Sequence, residues 1–143
     1  MGTTLVACLL DERGKGVIAN VGDSRAYLID NEICHTKDHS YVQELIDAGV
    51  ISEEEALKHP MKNIISRAVG VEEEIKIDFY YVDIASKILL LCSDGLHDYI
   101  SAKKISEIVK TYSNPEKAAR KLVKEALRAG SEDNITVIIC RNY

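Results

Sequence analysis

The sequence lacks the features that mark membrane, secreted and zinc-binding proteins. No apolar run in its 143 residues approaches the roughly 20 that a membrane-spanning helix needs. The N-terminus shows no basic region followed by an apolar stretch and a small-residue cleavage site, so we expect a cytoplasmic protein. The cysteines form no C-x-x-C pair and the histidines no H-E-x-x-H spacing, which leaves a zinc site without support.

An excess of positive charge is also absent. The chain has 18 lysines and arginines against 23 aspartates and glutamates, a formal net charge of -5. A broad basic surface for nucleic acid or anionic lipid is therefore not expected, whereas a cation site is compatible with this balance. Only two prolines occur, and no repeats or low-complexity segments, so we predict one domain over residues 1–143.

The first third of the chain has the pattern of β-structure. Apolar and β-branched runs are separated by short turns such as E-R-G-K-G and Asp30-Asn31. Because parallel strands need connections of a dozen or more residues, these short turns predict antiparallel pairing. The predicted strands cover residues 3–10, 16–21, 25–29 and 32–35.

Residues 40–66 have a sequence pattern typical of helices. Ser40 and Ser52 each fit a capping box, because Gln43 and Glu55 stand three residues later. The segment is polar and interrupted, which favours a helical insertion on the surface over an element of the core.

Strands and helices follow each other again after this insertion. A strand over residues 75–84 alternates apolar residues at Ile75, Ile77 and Phe79, and residues 87–92 are apolar throughout, as in a strand buried on both faces. Helices are predicted after Ser101 and after Asn114, and a last strand over residues 135–140. This order predicts an α+β fold with a largely antiparallel sheet.

Three aspartates stand where an apolar strand meets a loop. They are Asp23, Asp94 and Asp133, and each alone can simply cap a turn or face water. If they converge, their mutual repulsion requires a cation, and oxygen ligands suit Mg²⁺ or Mn²⁺. Such a site would activate water for hydrolysis, most naturally of a phosphate ester. Whether they converge depends on the fold.

The segments around these aspartates carry a specific resemblance. V-G-D-S-R at residues 21–25, L-C-S-D-G-L at 91–96 and D-N-I-T-V at 133–137 resemble, in this order, the later part of bacterial metal-dependent type 2C (PPM) serine/threonine protein phosphatases. The resemblance runs essentially from end to end. It implies a two-sheet β sandwich flanked by helices, with the N-terminal strands missing and a dinuclear Mn²⁺ or Mg²⁺ centre at one edge.

The resemblance also implies roles for individual residues. Asp94 and Asp133 match the ligands of one central metal ion, and Asp23 matches the ligand of a third, weaker ion. Residues 40–66 correspond to the flap beside the active site. The implied substrate is a phosphoprotein carrying phosphoserine or phosphothreonine, the product of a bacterial serine/threonine kinase, and neither nucleic acid nor a membrane is an expected partner.

Other parts of the family pattern are absent. The family has a D-G-x-G-G turn whose aspartate bridges both central ions and an arginine that binds the phosphate, but the sole Asp-Gly pair here is Asp94-Gly95. We therefore expect a C-terminal portion of a phosphatase domain that has negligible activity alone and that forms a homo-oligomer through exposed sheet edges. The alternative is a non-catalytic phosphatase-like binding or regulatory module. A haloacid dehalogenase-type phosphatase is disfavoured because no D-x-D occurs.

Two residues beside these segments have open roles. Arg25 can reach an acidic neighbour near the site or pair across its hairpin, and we favour a structural role. His97 can shuttle a proton, but an exposed position at the start of a helix is the favoured interpretation. Asp38-His39, which precedes the helical insertion, is expected to serve folding.

Overall fold

Seven strands form two antiparallel sheets in this computed structural model, which describes residues 1–141. One sheet has the strand order β1-β2-β5 and the other the order β4-β3-β6-β7. The antiparallel α+β fold predicted from the short connections is confirmed. The strands are β1 (Leu5–Leu10), β2 (Lys15–Val21), β3 (Arg25–Ile29), β4 (Ile33–His35), β5 (Asp78–Asp83), β6 (Ile88–Cys92) and β7 (Val137–Arg141).

Helices occupy the segment between β4 and β5 and the segment between β6 and β7. They are α1 (Tyr41–Asp47), α2 (Glu53–Lys58), α3 (Asp94–His97), α4 (Ala102–Thr111) and α5 (Pro115–Arg128). Polar side chains cap four of them by accepting a backbone N–H bond: Ser40, Ser52, Ser101 and Asn114. The capping box at Ser52 is complete, whereas at Ser40 the Gln43 amide donates to Asp47 instead.

The two faces of the four-stranded sheet pack against different layers. Ile18, Ala26 and Leu89 are buried in a core between the two sheets. On the opposite face, Leu90 packs in a second core with side chains of the helices after β6, such as Leu122. Strand β6 is therefore buried on both sides, as its continuous apolar run predicted.

Strand β5 differs from its prediction in length and in orientation. It begins at Asp78 rather than at residue 75, because it is an edge strand paired with β2, and β2 ends at Val21. The side chains that pack on the core are Tyr80 and Val82, while Phe79 is exposed. The predicted alternation at Ile75, Ile77 and Phe79 therefore identified the wrong face of the strand.

The outer face of the three-stranded sheet is apolar and uncovered among residues 1–141. Leu5 and Leu9 of β1 and Phe79 and Tyr81 of β5 are all exposed, Tyr81 to 91%. The register places Val17 of β2 opposite both Leu9 and Tyr81, so these side chains form one continuous patch. A contiguous apolar surface of this kind marks a contact region.

The helical segment of residues 40–66 lies at the surface, as expected. Helix α1 has no fully buried residue and α2 has one, Ala56. An isolated bridge between Ser40 and Ile65 joins the two ends of the segment to each other, and the adjacent His39 N–H donates to the Gly22 carbonyl at 2.9 Å. None of the helices in residues 1–141 is long and apolar enough to cross a membrane.

The two-sided burial of β6 makes the central strand the most sensitive part of the fold. Leu90 is 0% exposed, whereas Leu57 of α2 is 70% exposed and lies outside the apolar face of the three-stranded sheet. We expect Leu90→Ala to lower the free energy of unfolding by about 3 kcal/mol, because it leaves a cavity in a core that cannot fully collapse. The matched variant Leu57→Ala should change it by less than about 0.5 kcal/mol. Urea unfolding followed by circular dichroism measures both, and equal effects would contradict this assignment of the core.

Candidate metal centre

The register of the four-stranded sheet brings three chain segments to one edge. Strand β6 pairs antiparallel with β3 on one side and β7 on the other, and Cys92 at the end of β6 lies opposite Arg25 and Val137. Consequently the start of β3, the end of β6 and the start of β7 meet. Asp23 precedes β3, Asp94 follows β6, and Asp133 precedes β7. The fold therefore places all three predicted aspartates at the same edge.

Hydrogen bonds join the segment that carries Asp94 to the segment before β7. The backbone N–H of Ser93 donates to the Thr136 carbonyl at 3.1 Å, and the Thr136 N–H donates to Ser93 Oγ at 3.0 Å. Ser93 Oγ in turn donates to the Asn134 carbonyl at 3.1 Å. These bonds hold the loop of Asp133 against the beginning of α3.

Gly95 allows this close approach. A Cβ atom at this position would lie 2.3 Å from the Asn134 carbonyl oxygen, closer than real atoms come. The Gly95 carbonyl also accepts a hydrogen bond from Ser131 Oγ at 2.9 Å. Glycine is therefore required for Asp94 and Asp133 to be neighbours, and the S-D-G spacing in the sequence has a steric cause.

The turn that carries Asp23 is fixed in a similar way. Gly22 has φ +106°, a left-handed conformation that side chains rarely adopt, and a Cβ there would collide with Thr4. Its backbone N–H donates to Nδ1 of the buried His39 at 3.0 Å. The hydroxyl groups of Thr4 and Ser24 hydrogen-bond each other at 3.0 Å.

Electrostatic repulsion connects the three carboxylates. Burial, and next the charge of Asp94, raise the pKa of Asp23 to about 6. Burial, and next the charge of Asp133, raise the pKa of Asp94 above its ordinary value. The carboxylate of Asp94 is therefore repelled by those of Asp23 and Asp133, and a cation at this edge would reduce both repulsions.

The donor set suits a hard divalent cation in its chemistry. Three carboxylates offer only oxygen, the ligand that Mg²⁺ and Mn²⁺ prefer, and neither ion needs an all-protein cage because both keep bound waters. However, residues 1–141 contain no group of three His, Cys, Asp or Glu side chains close enough together to hold one ion. The three carboxylates therefore do not surround one point, and Asp94 is the member that interacts electrostatically with both of the others.

Known proteins match this chain over the residues that form this edge of the sheet. The protein phosphatase 2C family profile matches residues 78–135, which include Asp94 and Asp133. Serine/threonine phosphatase stp of Listeria innocua is 45% identical over 142 residues, spanning 97% of this chain. The crystal structure of serine/threonine phosphatase Stp1 from Staphylococcus aureus superposes with a TM-score of 0.93 at 40% identity and likewise covers 97% of this chain.

This chain is similar to the protein phosphatase 2C family over residues 78–135 and to serine/threonine phosphatases over 97% of its length. It spans 56% of the length of the Listeria phosphatase and 56% of the Staphylococcus structure, so the relatives contain a substantial further part. A third relative, the catalytic domain of the protein phosphatase PstP, was crystallised in complex with 2 manganese ions. That structure has a TM-score of 0.79, is 38% identical, and covers 97% of this chain and 58% of its own. The family is metal-dependent, which agrees with the presence of three carboxylates at this edge of the four-stranded sheet.

Two residues of this chain that had open roles now have definite surroundings. Arg25 donates from Nε and Nη2 to the two carboxylate oxygens of Asp38 at 2.8 and 2.7 Å, and from Nη1 to the Tyr27 hydroxyl at 3.0 Å. Asp38 follows β4, and its charge contributes to the raised pKa of Asp23, after burial and Asp94. Arg25 therefore reaches an acidic neighbour near the site and not a partner across its hairpin. Its structural role stays a prediction. His97 has a side chain only 3% exposed, so the expectation of an exposed histidine was wrong.

A polar network near this edge was not predicted from the sequence in its full extent. His39 Nε2 lies 2.8 Å from Asp78 Oδ2, and Arg67 Nη1 donates to Asp78 Oδ1 at 3.0 Å. Although burial opposes it, these two bonds lower the pKa of Asp78. The network joins the end of the helical segment to β5 and supports the folding role expected for His39.

Neutralising Asp23 should stabilise the metal-free chain. The folded state raises the pKa of this carboxyl to about 6 from an ordinary 3.8, so its ionisation opposes folding. The free-energy cost of ionising Asp23 in the folded state is absent below pH 4, grows as the pH rises to about 6, and is constant above that. We expect Asp23→Asn to increase the free energy of unfolding by about 1 kcal/mol at pH 7, after allowing for solvent around a half-exposed group.

Urea unfolding in EDTA at pH 7 and at pH 3.5 measures this difference. Glu132→Gln is the matched control, because Glu132 is exposed beside Asp133 and its loss changes the net charge equally. The gain should appear for Asp23→Asn alone and vanish at pH 3.5. A gain of the same size at both pH values would refute the electrostatic explanation.

Proposed function

We propose that this chain is part of a metal-dependent protein serine/threonine phosphatase that hydrolyses phosphomonoesters. The observation that carries the proposal is the junction of Asp94 and Asp133, formed by the Ser93 bonds and by the close approach at Gly95. The relatives named above are serine/threonine phosphatases, which supports the same reaction for the protein to which this chain belongs. The substrate would be a phosphoprotein produced by a serine/threonine kinase.

In this proposal each aspartate has a distinct part. Asp94 and Asp133 hold one cation, Mn²⁺ or Mg²⁺, and Asp23 holds a weaker ion next to it. When bound, the cation supplies Lewis-acid activation of water for attack on the phosphate. Because Asp94 follows the buried β6 directly and begins α3, its carboxylate has little freedom to move, which keeps the ligand geometry fixed. Residues 40–66 are proposed as the flap that borders the substrate.

The chain alone is proposed to be inactive. In-line displacement at phosphorus uses a second ion, a bridging carboxylate and an anion-binding group, and the sequence holds no D-G-x-G-G turn that could supply the bridge. The chain spans 56% of the stp sequence. We propose that the remaining portion of such a domain supplies these groups.

Turnover of p-nitrophenyl phosphate with Mn²⁺ tests this proposal. The chain alone should show less than about one thousandth of the rate of a complete relative such as the Listeria phosphatase, since several catalytic groups are removed together. In that complete relative, replacing the aspartate aligned with Asp94 by Asn should abolish turnover. Activity of the present chain comparable to the complete domain would disprove its dependence on a further portion.

The apolar face of the three-stranded sheet favours self-association when nothing else covers it. It contains Leu5, Leu9, Phe79 and Tyr81, together with a hollow of about 870 Å³ lined in part by Leu9, Val17 and Tyr81. We propose that the isolated chain forms a homo-oligomer through this sheet and its free edges. No nucleic-acid or membrane partner is proposed, and the cytoplasm is the proposed compartment.

Light scattering on the purified chain tests the proposed association. The wild type should exceed the monomer mass of 15.9 kDa in a concentration-dependent manner. The double variant Leu9→Lys/Tyr81→Lys should shift to monomer, because two charges would enter the apolar patch. Leu127→Lys, on the exposed side of α5, is the control and should leave association unchanged. A wild type that stays monomeric at crystallisation-like concentrations would exclude the oligomer.

A further inference from the structure

His97 makes one long-range contact that links two of the candidate ligand segments. Its Nε2 lies 2.8 Å from the backbone carbonyl oxygen of Asp23, a residue 74 positions away in the chain. A carbonyl oxygen can only accept, so Nε2 carries the hydrogen and donates it. The ring thereby joins the last residue of α3 to the turn between β2 and β3.

The surroundings of His97 make this bond a strong constraint. The side chain is 3% exposed, so water does not compete for the bond. The other ring nitrogen, Nδ1, lies 3.2 Å from Asp98 Oδ1, yet it is buried and makes no hydrogen bond of normal geometry within residues 1–141. The Asp23 carbonyl is therefore the partner of the ring with normal hydrogen-bond geometry, while the Asp98 carboxylate faces the other ring nitrogen.

The bond matters because both of its ends carry a carboxylate. His97 lies one turn after Asp94 on α3, and the accepting carbonyl belongs to Asp23 itself. The carboxylates of Asp23 and Asp94 carry like charges when both are ionised, and like charges repel. The β3–β6 pairing ends at Arg25 and Cys92, so the Asp23 turn and α3 lie beyond the last paired residues, and the His97 bond links them there.

We propose that His97 is a positioning residue that holds the Asp23 turn against the Asp94 helix through its Nε2–H bond to the Asp23 carbonyl. The two carboxylates are thereby kept at the separation at which they can serve cations, before any cation is bound. This inference rests on the proposed function in one respect, since it assumes that Asp23 and Asp94 are ligands. The tie itself exists without metal and can be measured without metal.

Two substitutions separate the hydrogen bond from the volume of the ring. His97→Gln retains an N–H near the position of Nε2, whereas His97→Leu fills similar space without a donor. If His97→Leu does not fold, His97→Asn replaces it, because its amide N–H is too short to reach the Asp23 carbonyl. His59→Gln, at the partly exposed C-cap of α2, is the control for loss of a histidine elsewhere.

The metal-free measurement is amide hydrogen exchange of residues 22–25. Loss of the bond should raise exchange there roughly ten-fold, the factor that one buried hydrogen bond supplies, while α5 stays protected. His97→Gln should restore wild-type exchange to within about three-fold. The tie is overturned if His97→Leu leaves exchange in the turn unchanged, or if His97→Gln fails to restore it.

The second measurement is Mn²⁺ affinity of the same variants, read from the free-ion signal in electron paramagnetic resonance. Removing a residue that orients ligands should raise the dissociation constant roughly ten-fold, with recovery in His97→Gln. A wild-type chain that binds Mn²⁺ no better than Asp94→Asn contradicts the proposed metal site, while the exchange result still decides the tie. Unchanged affinity in His97→Leu beside a functioning metal site overturns the positioning role.

Discussion

The antiparallel register of β3, β6 and β7 is the constraint on which the candidate site depends. Cys92 stands opposite Arg25 on one side and Val137 on the other, so three loops are forced to meet where β6 ends. The strand between them is buried from both faces, and Leu90 is fully enclosed. A shift of one residue in either pairing would move Asp94 away from its neighbours and turn the apolar side chains of β6 over.

Assembly of this edge opposes folding in the absence of a cation. Burial and mutual repulsion raise the pKa of Asp23 and of Asp94, and the positive φ of Gly22 and the close approach at Gly95 restrict these two positions to glycine. The cores on both sides of β6 supply the stability that offsets these costs. Buried like charges and positions restricted to glycine are concentrated at this edge. Such a local conflict with stability is the expected signature of a functional site.

Much of this architecture could be predicted from local sequence. Caps such as Ser52 and Asn114 and the continuous run in β6 have local causes, so periodicity and turn chemistry found them. Strand β5 was assigned the wrong face because both of its faces are apolar, with Phe79 on one and Tyr80 on the other. The burial of His97 had no local signal: α3 has four residues, too few for a period, and the partner is 74 residues away.

The two sheets differ in how many of their faces are covered by an apolar layer. The four-stranded sheet has an apolar layer on each side, so the segment that holds Asp94 and Asp133 has its complete core within residues 1–141. The three-stranded sheet has such a layer on one side, and Leu9 and Tyr81 remain open on the other. Burying that face removes apolar area from water without altering the register at β6. Whatever covers the face therefore acts on the stability of the sandwich, whereas the spacing of Asp94 and Asp133 is determined by bonds at Ser93 that lie wholly inside the chain.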